Sequence, residues 1–585
     1  MTGFSLKRRS VLTGAAGLAG SLAGSLAMAR LFPAWAQTVS PGLVPASGRL
    51  APGTLSGPEI ALEVGHSQFS TGGRSGHAVT INGTLPAPLI RLKEGQNVRI
   101  AVRNTLAEDT SIHWHGLLVP FQMDGVPGLS FPGIRPGETF TYEFPVRQSG
   151  TYWYHSHSGM QEAMGHFGPI VIDPAGTDPV RCEREHVLIL SDWSFTHPHT
   201  LMLRLKQAGG HFNRQKQTVA GLLAGRDQPL KERLEWAAML MDPTDISDVT
   251  GAAYRYLVNG HGTQENWTGL FTPGERVRLR IINASAMTNF NFRIPGLAMT
   301  VVQADGQHVQ PVEVDEFQIA IAETYDVIVE PKEAVPYGAV AEALDRSGLV
   351  RATLAPQAGM AGAVPALRER PLLAMRDMGM DHAMPAEFDL SKPEPVMDHS
   401  AMAMRDGANA PQVKLNAGVA TISPMPADRI GDLPTGLEAV DHRVLRYTDL
   451  KALTPGPDRR VPSRRIDLHL TANMERYMWS IDGERMSERT EPLVFHHMER
   501  VRLNLINDTM MPHPIHVHGH FFELVNGQQE HQPMKHTVNV LPGGRLSVDM
   551  TADALGDWAM HCHMMFHMDT GMFRIIKVRG QGGHG

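Results

Sequence analysis

Three stretches of the chain carry one pattern of apolar and polar positions. Val98-Arg99-Ile100-Ala101-Val102-Arg103-Asn104 alternates for much of its length, as a half-buried strand does. The cadence returns as Val277-Arg278-Leu279-Arg280-Ile281-Ile282-Asn283, and again as Val501-Arg502-Leu503-Asn504-Leu505-Ile506-Asn507. Upstream of each, a short apolar run ends in a turn dipeptide: Asn82-Gly83, Asn259-Gly260 and Asp482-Gly483. Three ordered copies predict three homologous modules. Short strands, Gly/Pro turns and little helical periodicity make each an antiparallel β-sandwich, so the expected fold class is all-β.

The pattern breaks at both ends of the first module and again before the third. Residues 1–36 begin with Lys7-Arg8-Arg9-Ser10-Val11-Leu12, continue as an Ala/Gly/Leu run to Ala29, and close on Ala34-Trp35-Ala36. That order predicts a twin-arginine export signal, a partner export machinery, and a periplasmic protein soluble after cleavage near Gln37. Modules are expected at 37–176, 177–370 and 461–585. Between them, residues 371–460 are rich in proline and poor in large apolar residues, which predicts a flexible insertion. Met375, Met378, Met380, Met384, Met397, Met402 and Met404 lie there, with His382 and His399 among them.

Composition narrows the chemistry. A net charge of −7 argues against a nucleic-acid partner. Methionine (32) and histidine (29) are both abundant, the side chains of soft and borderline metals. The two cysteines, Cys182 and Cys562, could pair in an exported protein. Cys562 stands between His561 and His563, which argues for a ligand instead; Cys182 is then expected to be unpaired and buried.

Modules one and three end alike. Gly150-Thr151-Tyr152-Trp153-Tyr154-His155-Ser156-His157 parallels Gly556-Asp557-Trp558-Ala559-Met560-His561-Cys562-His563. His113-Trp114-His115 follows the first repeated strand and His516-Val517-His518 the third, while the second is followed by Ala284-Ser285-Ala286-Met287. Residues two apart on a strand share a face, so each His-x-His pair can aim two imidazoles at one point. Eight such histidines predict a multi-metal cluster between modules one and three, with module two a spacer. Cys562 then faces away, toward His513, His567 and Met572. Two histidines, a thiolate and a weak axial thioether are the ligands of a blue-copper site.

These motifs, His-Trp-His-Gly, Trp-Tyr-His-Ser-His, His-Pro-x-His-x-His and His-Cys-His-x3-His-x4-Met, resemble the four copper motifs of the multicopper oxidases, in that family's order. The resemblance implies three cupredoxin-like Greek-key β-sandwiches, four coppers, and four-electron reduction of O2 to water. It implies His113 and His516 at type 2 copper, and His115, His155, His157, His518, His561 and His563 at the type 3 pair. His513, Cys562, His567 and Met572 would hold type 1. Many relatives place an acidic residue after the type 1 histidine, where this chain has Met568. Asp124 matches the family's other acidic residue and is expected to assist proton supply; a plain turn aspartate is the alternative.

The methionine-rich insertion, Asn473-Met474-Glu475-Arg476-Tyr477-Met478-Trp479 and the twin arginine are similar to the periplasmic copper-resistance branch of the family. That likeness implies a Cu(I) donor gathered by thioethers, and an outer-membrane copper-resistance partner. A laccase-like oxidase of small phenols and a copper-sequestering protein are the competing readings. Met160, Met164, Met564 and Met565 read as core packing.

Overall fold

The computed structural model describes residues 52–380, 405–486 and 491–580. Three cupredoxin-like sandwiches follow one another, each built from two sheets. The repeated strand holds the same place in all three. Asn97–Asn104 runs parallel to Glu59–Thr71 and antiparallel to Thr139–Pro145. Val277–Asn283 lies likewise between Arg184–Trp193 and Thr324–Val329, and Arg500–Asn507 between Arg464–Asn473 and Gly544–Thr551.

The shared residues explain the shared place. Each repeat ends on a buried asparagine whose Nδ2 donates to two carbonyls of neighbouring loops. Asn104 reaches Glu108 and Ile134, Asn283 reaches Thr288 and Ile319, and Asn507 reaches Met511 and Val540. Each Oδ1 accepts the backbone N–H two residues on, at Leu106, Ser285 and Thr509. One side chain thus satisfies three backbone groups that burial would otherwise strand, at about 1 kcal/mol per bond. The turn dipeptides repeat as closely. Asn82-Gly83, Asn259-Gly260 and Asp482-Gly483 all have positive φ at both residues (52° and 73°, 48° and 73°, 55° and 75°). That is the hairpin turn whose twist matches its strands.

One apolar core fills domain one, and a larger one runs through domains two and three. The larger core takes in Phe69, Trp153 and Met160 of domain one, so the seam between domains one and two is itself apolar.

Two features differ from the sequence expectation. Helices α1 (Pro198–Gln207), α2 (Val219–Leu223) and α3 (Leu230–Ala238) stand between Trp193 and Arg255 of domain two. The apolar spacing is weak there: α3 buries Trp236 while Leu230 and Leu234 stay exposed. The second difference is the insertion, whose described part is packed. Val444 and Ala452 bridge to Glu316 and Val309 of domain two, and Ala427–Asp428 pairs with Gly544–Thr551 of domain three. Buried Arg429 joins Asp377 and Asp432. Polar side chains anchor this stretch to its neighbours, which a composition poor in large apolar residues conceals.

His382, Met384, Met397, His399, Met402 and Met404 lie outside the described residues, as do residues 1–36. Cys182 and Cys562 are both free; Cys182 is half-buried where burial was expected. Among the described residues no helix is long and apolar enough to cross a membrane.

Candidate metal centres

Strand pairing brings the histidines of domains one and three together. His113 lies opposite His155 in one sheet, and His516 opposite His561 in its counterpart. His113–His115 is wholly strand, whereas His157, His518 and His563 fall just past the strand ends. The turn at each strand end lets the second imidazole of a pair serve a different point from the first.

The eight histidines divide accordingly. Ligand atoms of His115, His155 and His563 lie within 4.8 Å of one another, as do those of His157, His518 and His561. His113 and His516 converge beside His115. Each group draws on both domains, so the centre exists only where they meet. His561 and His563 fall in different groups, with Cys562 between them.

Four of the imidazoles are also held from behind. Nδ1 of His113 donates to the Asp124 carbonyl (2.7 Å), and Nδ1 of His516 to the His536 carbonyl (2.7 Å). Nδ1 of His518 donates to Asp124 Oδ2 (2.9 Å), and Nδ1 of His155 lies 2.7 Å from Glu162 Oε2. An oxygen behind the ring fixes the proton there and turns the other nitrogen's lone pair inward. Those inward atoms have no hydrogen-bond partner though buried: His113 Nε2, His115 Nδ1, His155 Nε2, His516 Nε2 and both nitrogens of His563. Nε2 of His561 approaches Nε2 of His518 to 3.0 Å and of His157 to 3.4 Å. Burial, then the neighbouring imidazoles, pushes His115, His516, His518 and His563 well below the ordinary histidine pKa. Neutral, orphaned, converging nitrogens are what a metal cluster requires.

The second centre lies on the other side of Cys562. Its Sγ is 3.5 Å from His513 Nδ1 and 3.8 Å from His567 Nδ1, and those nitrogens are 3.3 Å apart. The outer nitrogens are anchored, His513 Nε2 by Thr509 Oγ1 and His567 Nε2 by Asp248 Oδ2, both at 2.7 Å. Trp479 stacks on His567 with ring centroids 3.5 Å apart. Helix α4 (Met565–Thr570) carries His567, and Gly571 at φ 132° returns the chain so that Cys562 N donates to the Met572 carbonyl (3.1 Å). A Cβ at Gly571 would meet the Trp479 carbonyl at 2.8 Å, so only glycine fits. Met572 is fully buried. Burial pushes the Cys562 thiol far up; only a metal's charge would make it a thiolate here. Soft sulfur with two imidazoles selects copper over zinc.

Asp124 is both the turn residue and the anchor of two cluster imidazoles. Gly125 follows at φ 82°, where a Cβ would strike the Ile112 carbonyl, the residue before His113. Asp248, Trp479, Thr509 and Glu162 were not expected from sequence. Asp248 and Trp479 are remote from the motifs along the chain, whereas Thr509 and Glu162 stand four residues before His513 and five after His157, outside the His-x-His spacing.

Multicopper oxidase family models match residues 63–177, 184–356 and 459–582. Copper resistance protein A homolog of Pseudomonas syringae pathovar tomato is 46% identical, over 98% of this chain and 99% of that relative. Copper resistance protein A of Escherichia coli is 45% identical, over 90% of this chain and 93% of the relative. Among solved structures, the Botrytis aclada laccase superposes with a TM-score of 0.59 at 22% identity, covering 90% of this chain and 88% of that one. The copper chemistry that the histidine groups and the buried cysteine fit is therefore inherited along the whole architecture, and the chain belongs to the multicopper oxidases.

Proposed function

We propose that this oxidase takes electrons from Cu(I), and from small phenols in assay, and serves copper resistance. The observation that carries the reading is the Asp248–His567 hydrogen bond at the foot of a methionine cluster. Met239, Met241, Met375, Met378, Met380, Met474 and Met510 pack there with Trp236, Ile246 and Leu373. Asp245 and Asp248 border the cluster, and burial pushes both carboxyls up to about 7. Thioethers accept the soft cuprous ion, and a carboxylate hydrogen-bonded to His567 gives its electron a short path inward. Names of the relatives favour the same physiological setting.

The ligand assignment belongs to this proposal. His513, Cys562, His567 and Met572 would hold type 1 copper, His113 and His516 type 2, and the remaining six histidines the type 3 pair. Copper held by these residues would supply one-electron chemistry beside the cysteine and four-electron reduction of O2 within the histidine cluster. The chain's own part is to position and insulate. Cys562 joins the two centres through the backbone of His561 and His563. Asp124 orients His113 and His518 and is the buried acid assigned here to proton supply. Met568 lies in α4, so no carboxylate stands where many relatives have one. Export to the periplasm through the twin-arginine route rests on Arg8-Arg9 and Ala34-Trp35-Ala36. An outer-membrane partner rests on the likeness to copper-resistance relatives.

Replacing Met239, Met241, Met375 and Met380 by leucine tests the donor. Cu(I) oxidation should fall tenfold or more (about 1.4 kcal/mol) with phenol oxidation and the blue absorption intact. Unchanged Cu(I) turnover would sink the reading: with bound copper unchanged it favours the laccase alternative, and with bound copper reduced it favours sequestration.

A further inference from the structure

A second group of soft and borderline donors lies outside both copper centres, at the seam between domains one and two. His66 and His77 are diagonal neighbours on the paired strands Glu59–Thr71 and Arg74–Ile81, their rings 4.4 Å apart. His197 and His199 open helix α1 from domain two, with rings 5.2 Å apart. The strand carrying His77 is pressed against the segment that leads to His197. A Cβ at Gly76 would lie 3.1 Å from Phe195 and 3.2 Å from Trp193, and Arg74 sits over the Phe195 ring at 4.2 Å. From below comes Met160, three residues past His157: its Sδ lies 3.0 Å from His199 Nδ1.

The geometry points to a soft-metal site at this seam, with Met160 Sδ and His199 Nδ1 as its inner ligands, His197 beside them, and Cu(I) as its ion. The four imidazoles are exposed and the thioether is buried, so the site faces solvent with its sulfur as the floor. Among the described residues no carboxylate pairs with any of the four imidazoles, which leaves their lone pairs unclaimed by a salt bridge. His197 Nδ1 accepts the His199 backbone N–H, so its Nε2 is the nitrogen turned to a ligand. Burial and the neighbouring His199 and His77 hold the His197 pKa down, keeping it neutral. One thioether among imidazoles, with no carboxylate in salt-bridge contact and Glu108 only a more distant neighbour of His197, favours a cuprous over a divalent ion. Met160 therefore does more than fill the core, and it places a captured ion on the short loop that leads back to His157.

The test uses the copper-loaded protein titrated with Ag(I), a soft monovalent ion that stands in for Cu(I) without changing oxidation state. His197→Asn/His199→Asn should bind one fewer equivalent of Ag(I) than the wild type. Met160→Leu should weaken that same equivalent at least tenfold. Blue absorption should be unchanged in all three proteins. Because both histidines are exposed, the double variant decides the matter even if Met160→Leu perturbs packing. Equal stoichiometry and affinity in wild type and double variant overturn the site. The methionine cluster near Asp248 is intact in every variant, so this outcome is separate from the donor reading above.

Discussion

Burial holds seven of the eight cluster imidazoles below their ordinary pKa. For His561 the value falls from 6.5 to about 4. The unfolded chain therefore binds protons that the folded chain refuses. Stability is full above pH 6.5 and drains away as pH drops toward 4, by about 3 kcal/mol for this residue alone. Copper-stripped protein should accordingly show a melting temperature that drops steeply over that interval, while copper-loaded protein resists until protons displace the metal. A flat profile in the stripped protein would contradict the burial argument. Cys562→Ser should abolish the blue absorption and remove one copper equivalent, leaving the type 2 resonance; its disappearance too would mean the centres do not load independently. Asp124→Asn, at full copper loading, should slow O2 reduction by roughly 10²-fold and shift its pH profile. Unaltered turnover would reduce Asp124 to its turn. The candidate ligands that the fold brings together were legible in sequence, because they cluster in short motifs. Of the anchors behind them, Asp248 for His567 and Asp124 for His518 are remote along the chain and invisible to spacing, whereas Thr509, Glu162 and the Asp124 carbonyl stand near the histidines they hold.

Among the elements, the repeated strand and the helical insertion are opposites. The strand was legible because its alternation, its terminal asparagine and its turn dipeptide agree with each other and recur three times. Helices α1 to α3 occur once, bury few residues each, and carry exposed leucines, so periodicity hides them. Yet α3 supplies Trp236 to the methionine cluster, and the turn after it leads to Asp248. Trp236→Ala should remove about 3–5 kcal/mol of local packing. Its signature should be a lower kcat/KM for Cu(I) with unchanged blue absorption. Equal loss for Cu(I) and phenols would place its effect on the type 1 site itself.

Across the whole molecule, the middle domain, which has no His-x-His pair where the other two carry theirs, does more than separate them. Asp305 sits in the Asp305-Gly306 turn of domain two, fully buried. Its Oδ2 accepts the backbone N–H groups of His536 and Thr537 in domain three, both at 3.2 Å. The His536 carbonyl in turn holds His516, so a domain-two carboxylate steadies an imidazole of the cluster. Lys535, fully buried, balances Asp305 at 3.0 Å and Glu323 at 3.1 Å. Lys535→Met strands two buried carboxyls and should cost about 3–5 kcal/mol. Asp305→Asn should lose type 2 copper before type 1, read as a weakened type 2 resonance beside an intact blue band. Simultaneous loss of both would show only general unfolding. The sequence comparison of modules two and three predicted a spacer because it counts ligands; a residue that grips a neighbour's backbone leaves no such count.

What the residues determined alone was local and repeated: strand alternation, positive-φ turns, His-x-His pairs and a cysteine set between two of them. Each depends on contacts a few residues apart or on a motif recurring in register, so chemistry and module number follow without coordinates. Only the tertiary structure decided which imidazoles share a point, which oxygens lock their tautomers, and that Asp248 and Asp305 reach across domains to His567 and the His516 anchor. The contacts of Asp124 with His518, of Asp248 with His567 and of Asp305 with His536 join positions separated by hundreds of residues, and their energy comes from burying polar groups that find partners only when three sandwiches close together.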